Sequence, residues 1–254
     1  MFTRVKTPAE IEAMRTSGHM LASVLQLIDK TVTEGTSGKD ISALAATELK
    51  GFGATASFLG YNGFPDVICI SKNDEIVHGI PTNVSFKNGD IVGFDFGVTF
   101  NGMITDSAFT KIIGGNNKAN KNTLRLMKTT EQALYAGIDQ LKDGVRAGDI
   151  AVAIQRVLDK ENLGIVRELV GHGVGHAVHE DPNLPNYGIA GTGPALKAGM
   201  TIALEPMATL GGYHIKVDPD GWTIRTADGS LSAHFEHTIL VTQKGYEILT
   251  SWGE

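Results

Sequence analysis

Near the start of the chain apolar residues recur at helical spacing, with Ile11, Met14, Leu21, Leu25 and Ile28 on one face. Thr7-Pro8-Ala9-Glu10 reads as the start of that helix: Thr7 is the N-cap, Pro8 takes the first helical position and Glu10 closes a capping box. Glu34-Gly35-Thr36-Ser37-Gly38 breaks it, and Ser37-Gly38-Lys39-Asp40 caps a second helix reaching about Lys50. Gly38-Lys39 lacks the upstream glycine and preceding strand of a phosphate loop, so no nucleotide site is read there. Glycines and aromatics from Gly51 to Pro65 predict a loop, and strands follow at Asp66 to Ser71 and Glu75 to Ile80.

Two β-prone runs then flank Asn101-Gly102, the pair best suited to a hairpin turn because both residues must adopt φ > 0. With that turn Phe100 pairs with Met103, and Asp106 falls opposite Gly97. Asp95 lies two residues from Gly97, so Asp95 and Asp106 project as diagonal neighbours from one face, which Gly97 is expected to leave open. A long helix is predicted from about Asn120 to Lys142, a second from about Asp149 to Lys160, and strands with long loops from Gly164 to Thr250.

The second half repeats the first. The step from Gly35 to Asp40-Ile41 matches that from Gly144 to Asp149-Ile150. Glu75-Ile76-Val77-His78-Gly79-Ile80 resembles Glu168-Leu169-Val170-Gly171-His172-Gly173-Val174 with one insertion. Lys87-Asn88-Gly89 precedes Asp95 as Lys197-Ala198-Gly199 precedes Glu205. A pseudo-two-fold would bring equivalent strands together around one cleft. No linker-like composition separates the halves, roughly 1–115 and 116–254, so residues 1–254 read as a single domain.

Composition narrows the class. A formal charge of −6 gives no electrostatic case for nucleic acid or an anionic membrane surface. The one cysteine, Cys69, cannot form an internal disulfide and suits a reducing compartment. Met1-Phe2-Thr3-Arg4-Val5-Lys6 lacks a signal peptide's apolar core, and no apolar run approaches the ~20 residues of a membrane span. A cytoplasmic location is expected.

Chemistry concentrates on the strands. Glu205 sits in Met200-Thr201-Ile202-Ala203-Leu204-Glu205-Pro206-Met207, and Glu236 in Ala233-His234-Phe235-Glu236-His237-Thr238-Ile239-Leu240-Val241. Unpaired carboxylates in such apolar settings are expensive. Asp95, Asp106, His172, Glu205 and Glu236 together carry too much negative charge for one interior unless cations balance it. Mostly oxygen donors with one nitrogen suit divalent Mn, Fe, Co or Zn, and four carboxylates suffice to bridge two metals. Competing chemistries fare worse. His172, His176 and His179 lie among Gly171, Gly173 and Gly175, which argues against a zinc-binding helix, and no Gly-x-Ser-x-Gly elbow exists. Cys69 reads as a soft wall rather than a nucleophile.

Residues 66–106, 168–188 and 197–241 resemble the type I methionine aminopeptidases, and the chain aligns with them in order and length. The resemblance rests on Asp74-Glu75-Ile76-Val77-His78-Gly79-Ile80-Pro81, Gly171-His172-Gly173-Val174-Gly175, His179-Glu180-Asp181-Pro182, Glu205-Pro206-Met207 and Glu236-His237-Thr238. It implies the α/β "pita-bread" fold, two pseudo-two-fold-related halves with a central curved antiparallel sheet and outer helices. It also implies two divalent metal ions, with Asp95 on one, His172 and Glu205 on the other, and Asp106 and Glu236 bridging. The implied substrates are N-terminal Met peptides and nascent chains with a small second residue, with the ribosome as a candidate partner that no local feature marks.

By the same resemblance Glu205 would carry the proton from the attacking water to the leaving amine. His179 would stabilise the carbonyl oxygen and His78 would position the peptide. Tyr61, Phe64, Cys69 and Trp222 would form the methionine pocket. The chain departs from the family pattern at Val178, where Phe is common, at His176 for Arg and at Asn62 for His. Val178 should widen or reshape the pocket. Two other readings share the fold: an X-Pro aminopeptidase or prolidase, whose N-terminal domain is not expected here, and a non-catalytic binding module, which generally loses metal ligands.

Overall fold

Both N-terminal helices start where side chains close the first turn. The structure, a computed structural model, describes residues 5–252; the first four residues of the N-terminal segment read above lie outside the described residues. Helix α1 (Pro8–Thr31) begins with Thr7 accepting from the Glu10 backbone N–H while Glu10 returns the bond. Helix α2 (Gly38–Phe52) begins with the same reciprocal pair, Ser37 and Asp40, and ends at Gly53 with φ 68°.

The expected loop contains a two-residue strand, β1 (Thr55–Ala56), and a helical turn at Tyr61–Gly63. Strands β2 (Cys69–Lys72) and β3 (Glu75–Val77) follow, each shorter than the sequence pattern suggested. β3 stops because His78 takes φ 59°, a left-handed conformation. The next residue must be glycine, since a Cβ at Gly79 would meet the Ile70 carbonyl oxygen at 2.2 Å. Strands β4 (Ile91–Phe100) and β5 (Met103–Ile112) form the expected hairpin, with Phe100 opposite Met103 and Gly97 opposite Asp106. Asn101 and Gly102 supply positive φ of 48° and 76°.

Helix α3 (Lys121–Ile138) is capped by Asn120 and ends earlier than expected; α4 (Ala147–Lys160) follows. The remaining strands are β6 (Gly164–Ile165), β7 (Gly171–Gly173), β8 (Glu180–Leu184), β9 (Thr201–Leu204) and β10 (Met207–Thr209). Then come β11 (Ile215–Val217), β12 (Ile224–Thr226), β13 (Ser232–His234), β14 (His237–Val241) and β15 (Tyr246–Ile248).

One sheet holds β1, β2, β4 and β5; another has the order β15-β14-β9-β7-β8. They join where Glu236 N–H donates to the Ala108 carbonyl at 2.9 Å and Thr238 Oγ1 accepts from Asp106 N–H at 2.8 Å. α1 packs on β4 and β5, while α3 and α4 pack against each other and on the second half's strands. A contiguous core including Leu25, Phe94, Phe96, Leu126, Ile154 and Leu204 lies between helices and sheets. Among the described residues no helix is long and apolar enough to cross a membrane.

Two pairs of backbone hydrogen bonds match between the halves. Gly35 N–H donates to Phe86 O at 3.0 Å, and Gly144 N–H to Leu196 O at 2.8 Å. Lys39 N–H donates to Thr82 O as Gly148 N–H does to Thr192 O, both at 3.0 Å. One expected match is corrected. β7 takes the place of β2, not β3, because His172 pairs with Ala203 of β9 as β2 pairs with β4, whereas β3 pairs with β12. β2 and β3 lie in different sheets, so the His-Gly similarity does not mark equivalent strands.

Candidate metal centre and substrate pocket

Asp95 on β4, Asp106 on β5, His172 on β7, Glu205 after β9 and Glu236 before β14 converge on one cavity of about 190 Å³. Asp106, His172 and Glu236 each offer one ligand atom, all within 4.8 Å of one another, and all three side chains are buried. His172 Nε2 lies 3.4 Å from Glu205 Oε1. His172 Nδ1 lies 3.0 Å from the Gly173 carbonyl oxygen, which fixes the proton on Nδ1 and turns the Nε2 lone pair toward the acids.

The electrostatics are those of an unbalanced acid cluster. Burial raises Asp106 to about 7, with Glu205's charge adding to it, and raises Glu205 itself to about 8. Asp95 and Glu236 are pushed well above the carboxylate range, first by burial and then by the neighbouring acids. Burial lowers His172 to about 3. Asp95 Oδ1 and Asp106 Oδ1 are buried with no hydrogen-bond partner among the described residues. Orphaned acceptors facing one another are costly unless a cation takes them, so this donor set fits divalent metal.

All the residues expected to form the site line this cavity: His78, His179, Tyr61, Phe64, Cys69, Val178 and Trp222 surround the five clustered groups. Tyr61 Oη and His179 Nδ1 are 2.9 Å apart. Phe64 and Trp222 meet edge to face at 5.2 Å between ring centroids. Trp222 is held by Asp220, which accepts from the backbone N–H groups of Trp222 and Thr223 at 2.8 and 2.9 Å. Arg225 bonds Asp74, Glu75 and Asp218, tying the Trp222 loop to β3. Cys69 is buried, and burial beside Asp95 keeps its thiol protonated, consistent with a wall rather than a nucleophile. The glycine-flanked histidines form β7 and a loop, not a zinc helix.

The open face expected at Gly97 is corrected. A Cβ there would meet the Phe58 ring at 2.7 Å, so the missing side chain makes room for Phe58, which lines the pocket. Leu169 and Met207 also line it and were not singled out from the sequence. Nor was His234, buried with Nε2 3.4 Å from Glu205 Oε2 and 4.0 Å from Glu236 Oε2. Strand alternation was the available signal, since His234 stands two residues before Glu236.

Residues 12–243 match metallopeptidase family M24. The chain belongs to metallopeptidase family M24. Within this family it is 44% identical over 245 residues to methionine aminopeptidase 1 of Bacillus subtilis, covering 96% of this chain and 98% of the relative. It is 41% identical over 246 residues to the methionine aminopeptidase of Clostridium perfringens, covering 97% and 98%. The solved methionine aminopeptidase of Thermotoga maritima superposes with a TM-score of 0.96 at 41% identity, covering 99% of this chain and 100% of that one. The prolidase of Pyrococcus furiosus shares the fold, with a TM-score of 0.79 at 20% identity, and this chain covers 66% of it. The M24 chain therefore has the pita-bread fold and uses divalent metal.

Proposed function

We infer that the protein removes the N-terminal methionine from peptides and nascent proteins with a small second residue, by metal-dependent hydrolysis of the first peptide bond. The observation that carries this is the buried acid cluster opening into an aromatic, sulfur-lined pocket, in a chain similar nearly end to end to methionine aminopeptidases. In this reading the two halves make one catalytic domain.

Asp95, Asp106, His172, Glu205 and Glu236 would hold two ions of Mn, Fe, Co or Zn. Bound there, such a pair activates water and polarises the scissile carbonyl. Glu205 has 13% of its side-chain surface accessible and serves as the base that moves a proton from water to the departing amine. His179 stands at the pocket mouth with Nδ1 engaged by Tyr61, which leaves Nε2 for the carbonyl oxygen. His78 orients the peptide from its left-handed position at the end of β3. The methionine side chain packs between Tyr61, Phe64, Cys69, Val178 and Trp222, where a polarizable thioether meets aromatic edges. Action on nascent chains in the cytoplasm, near the ribosome, belongs to the same reading.

Metal-reconstituted protein offered Met-Ala and X-Pro peptides tests it. Release of free methionine with little X-Pro cleavage is expected. Preference for X-Pro, or no cleavage of either at full metal loading, overturns it.

A further inference from the structure

Among the described residues, His234 carries the one buried ring nitrogen aimed at the acid cluster that the reading above leaves without a task. Its backbone is fixed from two sides. Met207 pairs with it across β10 and β13, and Thr110 Oγ1 both accepts from His234 N–H at 3.0 Å and donates to His234 O at 2.6 Å. The side chain is 4% exposed, and Nε2 has no hydrogen-bond partner among the described residues. It points between Glu205 Oε2 at 3.4 Å and Glu236 Oε2 at 4.0 Å.

Glu205 needs such a neighbour. No backbone or side-chain group among the described residues donates a hydrogen bond to either of its carboxylate oxygens. His172 faces Oε1 but gives its proton to Gly173, so its Nε2 has none to offer. The terminal torsion of a glutamate is broad, so a carboxylate that would lean on a metal through one oxygen and lacks a donor on the other keeps freedom to turn. A base that must receive a proton and release it along a set direction loses rate when it rotates freely.

We propose that His234 is a positioning residue for Glu205: in the tautomer protonated on Nε2, it donates to Glu205 Oε2 and fixes the carboxylate plane. At 3.4 Å the two atoms do not meet as a hydrogen bond in this state; catalytic hydrogen bonds often tighten only when substrate engages. The proposal rests on Glu205 being the base. It assigns His234 no contact with substrate. The closer oxygen, Glu205 Oε2, is the acceptor.

The test compares His234→Phe, which keeps a ring without an N–H, and His234→Gln, whose amide places a donor near the same spot. His234→Leu serves as a second apolar variant should the Phe ring unfold the protein. Metal content and metal affinity, kcat and KM on a Met-Ala peptide, and thermal unfolding are measured for each. The expected result is a kcat lowered about 10–100-fold in the apolar variants, with KM and metal stoichiometry unchanged, and recovery to within a few-fold in His234→Gln. An apolar variant that folds and keeps wild-type kcat overturns the proposal. So does a His234→Gln variant as slow as His234→Phe, or loss of metal affinity that accounts for the lost rate. If the wild-type protein itself releases no methionine, the reading of its activity fails instead, and that outcome is separate from these.

Discussion

Lys6 Nζ lies 2.7 Å from Glu180 Oε2, 174 residues away in the chain, and the two side chains are 0% and 1% exposed. The other Glu180 oxygen accepts from the backbone N–H groups of His176 and Ala177 at 2.6 and 3.2 Å. This satisfied ion pair therefore staples the segment before α1 to the loop that carries Val178 and His179. Gly175 makes the approach possible, since a Cβ there would meet Lys6 Cε at 2.5 Å. Removing one charge leaves the other buried and unpaired. Lys6→Met should lower stability by about 3–5 kcal/mol in urea unfolding. Pairing it with Glu180→Gln should cost less than the two single changes summed; additive losses would contradict the coupling.

Metal-free protein should lose stability as pH rises from 6.5 to 8.5. Asp106 and Glu205 hold protons more tightly folded than unfolded, so their contribution is full below their ordinary values of 3.8 and 4.5 and disappears as pH passes about 7 and about 8. The buried histidines work in the opposite sense only at lower pH. His172, His234 and His78 are lowered from 6.5 to about 3, 3 and 4, so above 6.5 they are neutral whether folded or not. Thermal scans in chelator should show the melting temperature falling across this window. Mn(II) at 100-fold its Kd should add about 2.7 kcal/mol and flatten the slope. A flat chelated profile would contradict the burial of these acids.

Glu205→Gln removes the proposed base while keeping its shape. At saturating metal, kcat on Met-Ala should fall about 10²–10⁴-fold while methionine-peptide binding survives. Near-normal kcat would remove Glu205 from that role.

Val178 is 3% exposed in a wall shared with Phe58, Phe64 and Cys69. Val178→Phe adds a ring to that wall and should shift the kcat/KM ratio between Met and Leu substrates by about tenfold. An unchanged ratio would show that residue 178 does not set the pocket's shape.

What local chemistry dictates was legible in the sequence. Both N-terminal capping boxes form as their residues suggest, and Asn101-Gly102 sets the register that puts Asp95 and Asp106 on one face. The clustered acids and histidine were also legible, because unpaired carboxylates in apolar strands ask for a shared cation. What depends on distant approach was not. β3 ends at His78 because Gly79 packs on the Ile70 carbonyl, and Phe58 fills the space at Gly97. Strand pairing, not motif similarity, makes β7 the counterpart of β2. Alternation with Glu236 marks His234 for the same face, but its approach to Glu205 depends on β13 meeting a distant strand end.

The most direct measurement is anomalous diffraction from crystals loaded with Mn(II). The account predicts two peaks about 3.5–4 Å apart among Asp95, Asp106, His172, Glu205 and Glu236. No peak there at saturating Mn(II), or manganese bound only elsewhere, would contradict it.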